Sequence, residues 1–181
     1  MRAVLPAAFL LLITAASGLD AQAVELSAVV RDGIVCADLS FRWDREREFI
    51  ESLQDGLESR ITFTARLFDR NQALLPILRN IQIESRTFSQ SAFFDFLGKK
   101  FIVETDLGRR TTYDSAEELI RGFFTMSDIT LAERTQVGDP FVTARVQFEP
   151  VRLMPPLTII SLVGASGTYT SPWIQKDVAS P

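Results

Sequence analysis

From Leu57 to Phe68 apolar and polar residues alternate, with Ile61, Phe63, Ala65 and Leu67 set against Arg60, Thr62, Thr64 and Arg66. A period of two predicts a strand with one face in the core and the other in water. Phe141 to Phe148 repeats the pattern, with Val142, Ala144, Val146 and Phe148 opposed by Thr143, Arg145 and Gln147. Near the start, Val24 to Arg31 places Val24, Leu26 and Ala28 on one face. In Ile34 to Phe41 the better apolar face is Val35, Ala37, Leu39 and Phe41, because Asp38 spoils the other. Asp32-Gly33 between these runs predicts a tight hairpin. Weaker strands are expected at Ile81 to Thr87, with Ile81 and Ile83 inward, and at Phe101 to Thr105, Arg109 to Tyr113 and Thr130 to Thr135. The aromatic-rich stretch Phe88 to Leu97, the turn signals Gly98-Lys99-Lys100 and Asp106-Leu107-Gly108, and the segments between them suggest a meander.

Two segments carry a helical period. Phe49, Ile50 and Leu53 form one apolar stripe, with Asp44 as the expected N-cap and Gly56 as the expected left-handed stop. Ala116, Leu119, Ile120 and Phe123 form the other. There Asp114 or Ser115 is the expected N-cap, Ser115 followed three residues on by Glu118 fitting a capping box, and the helix is expected to end near Met126. Asp69 to Asn80 reads as a connection, since Pro76 argues against a central strand. Seven or eight strands with two short helices predict a mainly β, antiparallel two-layer sandwich; an α+β sheet covered on one face by both helices is the second choice.

The N-terminus adds a compartment. Arg2 precedes an almost unbroken apolar run from Val4 to Ala15, and Ala21 and Ala23 have signal-peptidase spacing, so residues 1–23 read as an export signal cut after Ala23. The run is shorter than the ~20 residues of a good membrane span; the alternative is an uncleaved N-terminal anchor. Residues 24–163 then form a single domain, and residues 164–181, rich in Gly, Ser and Pro, a partly ordered tail. Cys36, the single cysteine, is too far along to carry a lipid anchor and reads as a small core residue. The net charge of −4 is ordinary for a soluble domain, and no basic run suits nucleic acid.

Candidate chemistry is sparse. The chain has no His, which removes the usual neutral-pH base. Lys99, Lys100 and Lys176 are the only lysines, two in a turn and one in the tail, so a Ser–Lys pair is not indicated. Glu104 and Asp106 share a strand face that an ordinary wet surface explains. No catalytic residue, metal ligand or cofactor-binding motif is assigned, and enzymatic activity is the lesser expectation. Fourteen Phe against two Tyr and two Trp favours core filling over recognition. The exceptions give the candidate partner contacts: Trp43, Tyr113 and Trp173 among the aromatics, with Arg60 and Arg66 on the polar face of the clearest strand.

The early hairpin, the helix end and strand from Leu53 through Gly56-Leu57 to Phe68, the aromatic segment leading through Gly98-Lys99-Lys100 into Phe101 to Glu104, Tyr113 before the second helix, Phe141 to Phe148 and Pro155-Pro156-Leu157 together resemble the bacterial domain-of-unknown-function family 4390. The resemblance covers Val24 to Val163 and implies an exported protein; it transfers no catalytic residue. The expected function is a non-catalytic periplasmic or cell-envelope binding module whose partner is a protein or envelope component. A carrier of a small apolar ligand or lipid comes second, and a carboxylate-only hydrolase third.

Overall fold

The computed structural model describes residues 23–70, 80–133, 138–152 and 167–179. The expected export signal up to residue 22, most of the expected connection after Asp69 and the apolar patch around Leu157 to Val163 lie outside them. Ten strands and two helices follow in the order β1 (Ala23–Arg31), β2 (Ile34–Arg42), α1 (Glu46–Gln54), β3 (Glu58–Arg70), β4 (Asn80–Asp95), β5 (Lys100–Thr105), β6 (Arg110–Tyr113), α2 (Ala116–Phe123), β7 (Thr125–Glu133), β8 (Pro140–Arg152), β9 (Tyr169–Thr170) and β10 (Ile174–Asp177). They make a mainly β structure of two antiparallel sheets. The small sheet has the order β1-β2-β7; the large one runs β10-β8-β3-β4-β5-β6, with β9 also on β8.

The predicted faces set the packing. Val35, Ala37, Leu39 and Phe41 of β2 turn inward against Ile61, Phe63, Ala65 and Leu67 of β3 and Val142, Ala144, Val146 and Phe148 of β8, all buried in one core. Both helices lie on this same face of the large sheet, because Phe49 of α1 and Phe123 of α2 meet Phe148 with ring centres 5.9 and 6.2 Å apart. One layer is therefore the large sheet, and the other is shared between the small sheet and the helices. Where three strands run out, helices continue to cover the apolar face.

The local signals act as their chemistry requires in most places. Asp32 and Gly33 both take positive φ, 50° and 75°, in a two-residue hairpin pairing Arg31 with Ile34. Gly56 takes φ 86° after α1. Its N–H and that of Leu57 bond to the carbonyls of Leu53 and Ser52, the paired pattern of a Schellman stop. The Ser115 hydroxyl accepts from the Glu118 N–H at 3.2 Å. Three expectations need correction. Arg45, not Asp44, is the N-cap of α1, and no side chain caps it. α2 stops at Phe123, and β7 begins at Thr125. Ile81 and Ile83 are 46% and 37% exposed, not inward. β5 pairs with β4 only over Gln90–Asp95, so the first half of β4 is a sheet edge, and Asn80 to Ile83 lie exposed along it.

Asp38, the residue that spoils one face of β2, holds a β-bulge. Between the pairs Leu39–Met126 and Ala37–Ile129, two residues of β7 face one of β2, and Asp128 there has φ 58°. The Asp38 carboxylate accepts from the Asp128 N–H at 2.9 Å, the Ser27 hydroxyl at 3.1 Å and the Arg31 guanidinium at 2.7 Å, tying three strands together. Burial alone would raise its pKa, but these donors together hold it below the usual carboxylate range. A depressed carboxylate pKa means that the unfolded chain binds the proton more tightly. The stabilisation is thus complete above the ordinary carboxylate pKa and is lost as pH falls through the folded one. Asp38→Asn should cost about 1–2 kcal/mol at pH 7 by chemical denaturation, a difference that narrows at pH 3. An equal cost at both pH values would show that the charge of Asp38 contributes nothing.

Candidate functional site

The five candidate partner residues divide. Trp43 is corrected to a core residue. It is 4% exposed, lies edge-on to Phe148 with ring centres 5.0 Å apart, and the Arg45 guanidinium sits 4.9 Å over its ring. Nothing in the sequence distinguished a tryptophan plugging the core edge from one offered to a partner. Tyr113, at the end of β6, packs against α2: a Cβ placed on Gly122 would overlap its phenol. The small residue in α2 and the large one in β6 are a fitted pair, which makes Tyr113 a packing residue as well.

Arg66 and Trp173 come together. Arg66 points from β3 to the outer face of the large sheet, and its guanidinium carbon lies 4.3 Å from the centre of the Trp173 ring. Arg145, on the neighbouring strand β8, reaches the same ring at 4.8 Å. The register places them diagonally, since Thr64 pairs with Arg145 and Arg66 with Thr143. Each stacking contributes about 0.5–2 kcal/mol depending on solvation. Trp173 is held over the face by the expected tail, which adds β9 and β10 along the edge of β8. Between these short strands buried Ser171 substitutes for a strand partner: its N–H bonds to the Val146 carbonyl and its hydroxyl accepts from the Val146 N–H.

Around this cluster the surface is built of hydroxyls. Ser85 and Thr143 flank Arg66 in register, and Thr64 and Thr87 lie 3.4 Å apart at their side-chain oxygens. Among the described residues no carboxylate lies within ion-pair distance of Arg66 or Arg145, and the Nε atom of each is buried without a hydrogen-bond partner. Buried donors of this kind are rare, because leaving one unpaired costs about 1–3 kcal/mol. Sequence reasoning placed Arg145 on a wet strand face and did not single it out; recognising it requires the β3–β8 pairing.

Arg60 belongs to a second feature. It lines a cavity of about 630 Å³ with Leu57, Phe93, Phe94, Phe96 and the carboxylates of Glu104 and Asp106. Its Nε lies 3.4 Å from the Ser91 hydroxyl. The aromatic wall comes from the end of β4, where Phe94 packs on Phe101 with ring centres 5.0 Å apart and Phe96 stays 59% exposed. Asp106 is engaged by the Ser89 N–H at 3.1 Å. Cys36 is buried in β2, and burial pushes its thiol pKa up, away from the reactive thiolate. Among the described residues no helix is long and apolar enough to cross a membrane. Compared with protein-family models, curated proteins and solved structures, the chain matches none.

Proposed function

We propose that the protein is an exported, non-catalytic binding module of the cell envelope, and that its contact face is the outer side of the large sheet around Trp173. The observation that carries this reading is the Arg66–Trp173–Arg145 cluster. Two cations with no acidic partner among the described residues share one indole that is 38% exposed. Trp and Arg are the residue types that dominate binding energy at interfaces, through large contact area and forked hydrogen bonding. The surrounding strands are rigid and paired on both sides, so the cluster needs little ordering on binding.

A photoreactive crosslinker at Thr143, on this face, tests the reading in the intact envelope. A defined partner should be captured from Thr143, lost in Trp173→Ala, and absent when the crosslinker is moved to Glu117 on α2. Capture that is equal from both positions, or unchanged by Trp173→Ala, would overturn it. The cavity favours a second reading, carriage of a small apolar ligand, because about 630 Å³ exceeds the ~300 Å³ that such a molecule needs. A stoichiometric lipid mass on the protein isolated from its envelope, with no crosslinked partner, would shift the assignment there.

A further inference from the structure

We infer that the Arg66–Trp173–Arg145 cluster is a binding site for a phosphate group. The inference rests on the face proposed above and names the chemistry it recognises. Three observations converge. First, two guanidinium groups approach one ring from adjacent strands, at 4.3 and 4.8 Å, in a protein whose net charge is −4. Two cations held on one ring attract an anion that their forks can reach. Second, the Nε atoms of both arginines are buried and find no acceptor among the described residues. Third, the neighbours in register are donors of the right kind: Thr64, Ser85 and Thr143 carry hydroxyls and no carboxylate intrudes.

A tetrahedral oxyanion accepts from many directions at once, and a guanidinium fork offers it two parallel N–H groups. Trp173 fixes the planes of both forks by stacking and limits how far they can swing. Ser171 and β10 in turn hold Trp173. The hydroxyls around the forks supply further donors to the same oxygens. A lone carboxylate would leave some of these donors idle, whereas a phosphate uses them.

Trp173 is the reporter for the test. The chain has two tryptophans, and the other, Trp43, is buried in the core, so a surface ligand moves the fluorescence of Trp173 alone. The purified protein is titrated with inorganic phosphate, with vesicles of phosphatidylcholine alone or with phosphatidylglycerol added, and with a Glu-rich peptide. Saturable change with inorganic phosphate supports a site for the free anion. Change with phosphatidylglycerol vesicles alone assigns it to a lipid headgroup. In either case Arg66→Gln and Arg145→Gln should each weaken binding roughly ten- to a hundred-fold, while Trp173→Phe keeps the ring and retains binding, read by the shift of the arginine Nε–H resonances. Far-UV circular dichroism and a thermal melt on each variant exclude misfolding. Response only to the Glu-rich peptide, or to none of the four, or binding unaffected by both arginine changes, would overturn the inference. Phosphate binding without a crosslinked partner sinks the adaptor reading and leaves this one standing; a captured partner with no phosphate response does the reverse.

Discussion

Phe148→Ala should destabilise the protein by about 3–5 kcal/mol, roughly the cost of emptying a fully buried phenylalanine site. Phe148 is fully buried and touches both layers: Phe41 at 5.9 Å, Trp43 at 5.0 Å, Phe49 at 5.9 Å, Phe123 at 6.2 Å and Phe124 at 5.2 Å between ring centres. These neighbours come from β2 and the residue that follows it, from α1, and from α2 and the turn into β7, so one side chain of β8 joins the large sheet to the small sheet and both helices. Its partners are held by strand pairing and helix packing and cannot collapse into the space. Against a typical total of about 5–15 kcal/mol, a loss of this size is severe. Urea denaturation followed by far-UV circular dichroism checks it, with Trp43 fluorescence in a Trp173→Phe background as the local probe. Phe148→Leu, which keeps most of the volume, should cost about 1–2 kcal/mol. A loss below 1 kcal/mol for the alanine variant, or separate transitions for the two probes, would mean that the layers do not share one cooperative core.

The legible part of the fold is the part where one face is wet and the other buried. β3 and β8 announce themselves by alternation because each strand lies between a covered inner face and an outer face of Arg, Thr and Gln. Ile81 and Ile83 misled because hydrophobicity reports a preference for burial and not where a strand stands in its sheet; the first half of β4 is an edge that β5 does not pair. The end of α2 was misjudged for a related reason. Phe123 and Phe124 are both buried in the same aromatic core, one from the helix and one from the turn into β7, so no break in apolar character marks the boundary. The tail concealed its strands because their pairing depends on the free edge of β8 and on Ser171, neither of which composition reveals. The candidate site was half legible: Arg66 and Trp173 were named, but nothing local joins them. Their meeting through Arg145 is a product of strand order, which links residues far apart in the chain.

Gln90 is the polar residue that the core cannot do without, and its variants should be the next most damaging. It lies on the inner face of β4 between Ile61 of β3 and Thr105 of β5, 5% exposed. Its side-chain amide donates to the Phe123 carbonyl at 2.5 Å. That carbonyl belongs to the last residue of α2, where a helix leaves acceptors without an intrahelical donor, and the chain turns at once into β7 through buried Phe124. Gln90→Leu fills the same volume but strands the acceptor, for an expected loss of about 1–3 kcal/mol. Gln90→Glu should be worse at pH 7 and should improve relative to the parent protein as pH falls. The reason is that a buried carboxylate facing a carbonyl has its pKa raised, so the folded state binds the proton more tightly than the unfolded state and stability declines as pH rises. Once protonated, the acid donates its O–H to the Phe123 carbonyl and restores the bond. Denaturation of the three proteins at pH 7 and pH 4.5 decides the matter. A Glu variant that tracks the Leu variant at both pH values would show that position 90 is reached by water and that the helix end is satisfied some other way.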